Sequence, residues 1–118
     1  MSRAEYIKAV KSYEINEDRV KDIERIYKTN LEPIVKKIIS YADQADFFDE
    51  ERRALSYREI LDPMKYIEFD FVKLGLIPFV DVYDNSYAVF NIASKEWGHY
   101  NIIDSVLYKK RKTMEEVI

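Results

Sequence analysis

The chain has 118 residues, of which 47% are hydrophobic, and its formal net charge is −3 at pH 7. This length suffices for one hydrophobic core and is too short for two ordinary domains, so we expect a single domain over residues 1–118. The sequence contains no cysteine, which excludes disulfides and thiolate chemistry, and its single histidine argues against a zinc site. The acidic balance argues against a nucleic-acid partner.

The hydropathy pattern bears on the compartment. No apolar run reaches the roughly 18 residues that a membrane-spanning helix needs. Residues 1–14 also lack the uninterrupted apolar stretch of a signal peptide. We therefore expect a soluble cytoplasmic protein without a membrane partner.

The first half of the chain has a helical pattern. Apolar residues recur at spacings of three and four between Ile7 and Tyr27, which predicts two amphipathic helices. Asn16 supplies a capping side chain, followed by acidic residues that suit a helix amino terminus. We expect the second helix to run from Glu17 to Lys28.

Two further helices are predicted before Pro63. Pro33 suits the first turn of a helix, and the apolar stripe that follows predicts a third helix as far as about Tyr41 or Ala42. Ser56 and Glu59 have the spacing of a capping box, which predicts a short helix closed by Pro63.

After Pro63 the hydrophobic period changes to two. Tyr66 to Val72 alternate between apolar and polar residues, which predicts a strand with one solvent-exposed face. On that interpretation Glu68 and Asp70 share the exposed face. A solvated face explains this carboxylate pair better than acid/base catalysis does.

Further strands follow this segment. Leu76 to Tyr83 and Ser86 to Ile92 are strand-like runs separated by Asp84-Asn85, residue types that tolerate the positive φ of a two-residue hairpin turn. Residues 97–104 and 106–108 predict two more strands. The result is a four- or five-stranded antiparallel meander.

The last residues predict a short helix, because Thr113 and Glu116 again have capping-box spacing. The expected fold class is therefore α+β. Amino-terminal helices pack on one face of an antiparallel meander, and a short carboxy-terminal helix follows.

Five short motifs occur in a set order along the chain. They are Leu55-Ser56 with Glu59-Ile60, Ile77-Pro78-Phe79, Asp84-Asn85, Tyr87 with Val89-Phe90, and Asn101-Ile102 with Asp104. Their order and spacing resemble the SUKH superfamily, also called the SMI1/KNR4 family, over the chain from about Ile23 onward.

The resemblance implies a non-enzymatic role without a cofactor. Bacterial members of that family resemble immunity proteins, which bind a cognate toxin domain and block it. Fungal members act as interaction modules linked to cell-wall regulation. We therefore expect an immunity protein whose partner is a toxin domain, for example a basic nuclease, with a regulatory scaffold as the alternative.

The predicted sheet also bears on the oligomeric state. Its edge strands permit a monomer or a weak homodimer.

Three polar features have structural explanations that we prefer to chemical ones. His99 alternates with Trp97 and lacks an obvious catalytic partner, so we interpret it as a structural or surface histidine. Asp81, Asp84 and Asn85 could suggest a cation loop, but a hairpin turn explains the last two. The basic run Lys109–Lys112 could contact phosphate, and we interpret it as a solvated link before the last helix.

The acidic segment Asp43–Glu51 has two interpretations. We expect it to be a long loop, in which the phenylalanines either cap the core or anchor a partner while the acids steer a basic protein. The candidate partner-binding residues are Asp43, Asp46, Phe47, Phe48, Asp49, Glu50 and Glu51. No catalytic, cofactor or metal site is predicted.

Overall fold

The computed structural model describes residues 1–45, 47–49 and 51–118, and at residue 47 it describes the backbone alone. Within these residues the chain forms six α-helices, six β-strands and one 3-10 helix. The helices are α1 (Arg3–Ser12), α2 (Glu17–Tyr27), α3 (Pro33–Tyr41), α4 (Tyr57–Leu61), α5 (Pro63–Tyr66) and α6 (Phe71–Leu74). The strands are β1 (Phe47–Phe48), β2 (Arg52–Ala54), β3 (Leu76–Asp81), β4 (Ser86–Asn91), β5 (Glu96–Asn101) and β6 (Val106–Arg111), and the 3-10 helix is Met114–Glu116.

Local capping sets the bounds of α2. The side chain of Asn16 accepts a hydrogen bond from the backbone N–H of Arg19 at 3.2 Å, as expected for a helix cap. The helix ends at Lys28, which takes up a left-handed conformation with φ of 55°. The predicted helix is confirmed to within one residue.

The helices α3 and α4 also begin where the sequence predicts. Pro33 occupies the first turn of α3, which ends at Tyr41. Ser56 and Glu59 form the predicted capping box of α4, each accepting a hydrogen bond from the backbone of the other. No helix within the described residues is long and apolar enough to cross a membrane.

The strands form one antiparallel sheet in the order β1-β2-β3-β4-β5-β6. Strands β3 to β6 have six residues each, and they include the four predicted strands after residue 75. A short hairpin of β1 and β2 extends the sheet at one edge. With helices at the amino terminus and a short 3-10 helix at the carboxy terminus, the α+β fold class is confirmed.

Each face of the sheet has its own buried cluster. The larger cluster joins helices α1 to α4 to one face. Its strand residues include Ile77, Ala88, Phe90 and Trp97. The smaller cluster contains Phe71, Leu76, Val89 and Tyr100. Because Val89 lies between Ala88 and Phe90 on one strand, the smaller cluster occupies the opposite face.

The strand predicted over Tyr66–Val72 is wrong. This segment contains the end of α5, a turn and the start of α6. Asp70 caps α6 by accepting a hydrogen bond from the backbone N–H of Lys73 at 3.0 Å, and Glu68 has a positive φ of 62°. These two carboxylates therefore do not share the face of a strand, although the alternation predicts that they do.

Two other segments differ from their predictions. The acidic segment is not one long loop, because it contains β1 and the turn into β2. The basic run is not a solvated link, because Lys109, Lys110 and Arg111 belong to β6, the last strand of the sheet.

Candidate interaction surface

Three hairpin turns lie at the same end of the sheet. They join β1 to β2, β3 to β4, and β5 to β6, and alternate turns of an antiparallel meander fall at one end. Pairing across the sheet connects Phe47 with Arg53, Arg53 with Asp81, and Asp81 with Tyr87. Because each turn is two strands from the next, successive turns are separated by roughly 10 Å. We call this region, formed by residues 49, 51, 82–85 and 102–105, the acidic end.

Two large apolar side chains project from the acidic end. Tyr83 is 63% exposed and Ile103 is 69% exposed, the highest values among the large hydrophobic residues that the structure describes. A single exposed apolar residue is ordinary on a protein surface. Two of them on adjacent turns are a candidate for contact with a partner.

Exposed carboxylates share the acidic end with these two side chains. Asp84 and Asp104 are exposed, each next to one of the apolar residues in sequence, and in the described part of the chain neither forms an ion pair. Asp49 and Glu51 are exposed at the neighbouring β1–β2 turn, where Asp49 lies 3.9 Å from the guanidinium of Arg52. The acidic end therefore combines two exposed apolar side chains with four exposed carboxylates on its three turns.

The side chain of Asn101 holds two of the turns together. Its Nδ2 donates hydrogen bonds to the carbonyl of Asp84 and to the hydroxyl of Ser86, both at 3.2 Å. Its Oδ1 accepts hydrogen bonds from the backbone N–H groups of Ile103 and Asp104, both at 2.9 Å. One amide thus uses its donor and acceptor groups to fix both exposed turns.

The predicted turn at Asp84-Asn85 is confirmed. Both residues have positive φ, of 56° and 61°, and the N–H of Ser86 donates to the carbonyl of Tyr83 at 3.1 Å across them. The carboxylate of Asp81 accepts a hydrogen bond from the N–H of Tyr83 at 2.9 Å. These contacts agree with the turn interpretation of this segment.

The described residues among the predicted partner-binding residues do not all lie at one surface. Asp43 lies away from the acidic end, where its carboxylate binds the guanidinium of Arg19 at 3.0 Å and accepts from the N–H of Tyr57 at 3.1 Å. Asp46, Glu50 and the side chain of Phe47 lie outside the described residues.

Phe48 lies in the core and not on the surface. It is 1% exposed, and its ring stacks on the ring of Tyr6 at a centroid distance of 4.4 Å and an interplanar angle of 7°. This contact corresponds to the structural interpretation of the acidic segment, in which a phenylalanine caps the core. A partner cannot reach this ring while the protein is folded.

His99 is a buried structural residue. It is 6% exposed, and its Nε2 donates to the carbonyl of Val117. The ring also contacts Tyr108 edge to face, with a centroid distance of 5.5 Å. Burial lowers the pKa of His99, and the hydrogen bond to Val117 opposes part of that lowering. The cations of Lys109 and Arg52 lower the pKa further.

Sequence reasoning missed Tyr83 and Ile103 as surface candidates. The sequence pattern predicts that both lie inside strands, whereas β3 ends at Asp81 and β5 ends at Asn101. The available signal was the position of each large apolar residue beside an aspartate near a turn. Among the described residues no group of three histidine or acidic side chains is arranged to hold a metal ion.

Comparison of the chain with protein families, with curated proteins and with solved structures finds no match.

Proposed function

We propose that this protein is a non-enzymatic binding module that neutralises a cognate toxin domain by covering its active surface. The observation that carries the proposal is the acidic end, where Tyr83 and Ile103 project beside Asp84 and Asp104. Protein interfaces commonly have a few large anchor side chains, tyrosine among them, and a polar rim. The resemblance to the SUKH superfamily supplies the class of partner, a toxin.

The rigidity of the acidic end supports this function. Asn101 bridges two turns through four hydrogen bonds, so the backbone that carries the apolar side chains is held in place before a partner arrives. A preorganised surface loses less conformational entropy on binding than a mobile loop does. An inhibitor that acts by occlusion benefits directly from this, because its inhibition depends on affinity.

The charge of the acidic end favours a basic partner. Asp84 and Asp104 flank the anchors, and Asp49 and Glu51 extend the negative surface along the same end of the sheet. Complementary charge raises the rate of association and disfavours acidic competitors. Toxin nucleases need cationic surfaces to approach phosphates, so they are one class of partner that fits.

The class of partner can be tested by a pull-down from the source cell, followed by identification of the captured protein. We expect a toxin domain, and we expect co-expression with this protein to suppress its lethality. A captured regulatory or cell-wall protein, without protection against any neighbouring toxin, would favour the scaffold alternative and overturn the proposal.

The surface can be tested with two variants and one control. Ile103→Ser removes an exposed anchor and should weaken the complex about tenfold, mainly through faster dissociation. Asp104→Lys should slow association at low salt, because it reverses a steering charge. Met64→Ser is a matched control, since Met64 is 54% exposed and belongs to α5, away from the acidic end. Equal affinity in all three proteins would remove the acidic end from the interface.

The acidic segment is tested in the same assay. Phe47→Ala should weaken the complex if that residue anchors the toxin, and Asp49→Lys should slow association at low salt. Unchanged binding in both variants would eliminate this segment and leave the other two turns as the candidate surface.

A further inference from the structure

The last strand of the sheet has a free edge. Strand β6 pairs with β5 on one side, and no strand among the residues that the structure describes pairs with its other side. A strand in this position presents unpaired backbone N–H and C=O groups along its outer edge. Five of its six residues are exposed: Val106, Tyr108, Lys109, Lys110 and Arg111.

The first half of β6 is apolar and ordered. Val106 is 49% exposed and Tyr108 is 41% exposed. The hydroxyl of Tyr108 donates to Ser86 at 2.8 Å, and its ring packs on His99, so the ring is held while one side remains in contact with water. These three residues of β6, Val106 to Tyr108, pair regularly with β5.

The second half of β6 is basic. Lys109, Lys110 and Arg111 lie in the strand, Lys112 follows directly after it, and all four are exposed. Among the described residues Arg111 has Glu116 at 4.0 Å, whereas the three lysines have no carboxylate within ion-pair distance. The pairing register shifts near Lys109, which has a positive φ of 51°, so a bulge separates the apolar half from the basic half.

The charges of this edge disfavour a second copy of the chain. Two β6 strands brought side by side would place six cationic side chains along one short seam, with Lys112 of each copy directly after it, and residues 105–112 contain no acid to compensate them. Lysines and bulges on an edge strand are a known protection against self-pairing. The same lysines attract, however, an acidic strand.

We propose that the free edge of β6 docks an extended acidic segment of a partner protein by strand addition. The regular residues Val106 to Tyr108 supply backbone hydrogen bonds and apolar contact, and the lysines beyond the bulge bind the partner's carboxylates. A polynucleotide would use the cations but neither the backbone groups nor the apolar side chains. This inference concerns a surface of opposite charge to the acidic end and does not rest on the proposed toxin binding.

The test uses a fluorescein-labelled ten-residue peptide of alternating valine and glutamate, and binding is followed by anisotropy. We expect saturable binding to the full-length protein and added protection from hydrogen exchange of those amides of Val106–Tyr108 that face the free edge. A peptide with lysine in place of glutamate should not bind. A peptide methylated at every backbone nitrogen keeps its charge but has no N–H group left on either edge to add as a strand, and should bind about tenfold more weakly.

Protein variants locate the contact. Lys110→Glu combined with Lys112→Glu should lower the affinity about tenfold, because it replaces attraction by repulsion. Lys21→Glu combined with Lys95→Glu gives the same net charge at exposed sites elsewhere and should change the affinity less than twofold.

Three outcomes would overturn the proposal. Equal binding of the methylated peptide would mean that no strand is added. Equal loss in the two double variants would mean that only the net charge matters. Tighter binding of a thymidine decanucleotide than of the glutamate peptide, lost in Lys110→Glu/Lys112→Glu, would identify a nucleic-acid contact in place of a protein one.

Discussion

Arg53 and Glu59 form a bidentate ion pair in which two guanidinium nitrogens lie 2.8 Å from the two carboxylate oxygens. One of these oxygens also accepts the backbone N–H of Ser56 at 3.0 Å, which closes the capping box of α4. A single carboxylate thus starts the helix and ties it to β2. Burial acts to raise the pKa of Glu59, but Arg53 and the Ser56 N–H hold it below its usual value.

Two substitutions separate the roles of this carboxylate. Glu59→Gln keeps an acceptor for the capping box and removes the charge, so we expect a loss of about 1 kcal/mol in the free energy of unfolding. Glu59→Ala removes both contacts and should cost about 2 kcal/mol. Urea unfolding at pH 7 measures both values. Arg25→Gln, which breaks the exposed pair with Asp22 at 3.2 Å, is the control and should cost less than about 0.5 kcal/mol.

The buried ring of His99 predicts a loss of stability in mild acid. The pKa of His99 in the folded protein lies below the value of 6.5 that it has in an unfolded chain. Below pH 6.5 the unfolded chain therefore binds a proton more readily than the folded protein does, and the free energy of unfolding decreases as the pH falls. Above pH 6.5 both states are neutral at this residue, and its contribution is constant.

Urea titrations at pH 7.5, 6.5 and 5.5 measure this effect. We expect the native protein to lose stability over this range, by at most about 1.4 kcal/mol for each pH unit. The variant His99→Gln cannot titrate and should show a flatter profile, whatever its stability at pH 7.5. The carboxylates with lowered pKa, Glu5, Glu59 and Glu115, act below their usual value of 4.5 and so outside this window. Parallel profiles of the two proteins would contradict the prediction.

Gly98 lies where β5 meets the bulge of β6. A Cβ at this position would come within 3.1 Å of both the Leu107 side chain and the backbone carbonyl of Tyr108. The leucine could turn aside, but the carbonyl belongs to the strand itself. Gly98→Ala should therefore displace β6 and cost about 1 to 3 kcal/mol.

Hydrogen exchange tests the Gly98 prediction by its location. The amides of β6 should exchange faster in Gly98→Ala, while those in the β3–β4 pair should change little relative to them. Gly75→Ala is a useful contrast, because nothing lies within 4 Å of the added methyl group and its cost arises from the positive φ of 68° alone. Faster exchange distributed evenly over the sheet in Gly98→Ala would argue against a local displacement.

Much of the fold could be predicted from local signals. The α2 cap at Asn16, the capping box at Ser56 and the turn at Asp84-Asn85 are decided by residues within a few positions of one another, and all three are confirmed. The error over Tyr66–Val72 has a different origin. The alternation of apolar and polar residues is present, but it has another cause. Asp70 caps α6, and Phe71 is buried on the far face of the sheet, with its ring centroid 5.5 Å from that of Tyr87.

The candidate surface could not be predicted from local signals. Asp49, Tyr83 and Ile103 are distant in sequence, and they come to one end of the sheet only because β1 to β6 pair in sequential order. A meander predicted with the correct strands would place these three residues at one end of the sheet. The sequence pattern, however, predicts a loop in place of the β1–β2 hairpin and extends two strands beyond their ends.

Asn101 provides the sharpest test of how the two turns depend on each other. Asn101→Ala removes all four hydrogen bonds and should destabilise the protein by about 2 to 3 kcal/mol. Asn101→Asp keeps the oxygen that accepts from Ile103 and Asp104 but loses both donations from Nδ2, to Asp84 and Ser86. We therefore expect faster amide exchange in both turns for the alanine variant. For the aspartate variant the β3–β4 turn should be affected more than the β5–β6 turn. Identical exchange patterns in the two variants would mean that the amide acts on the turns as one unit and not through separable bonds.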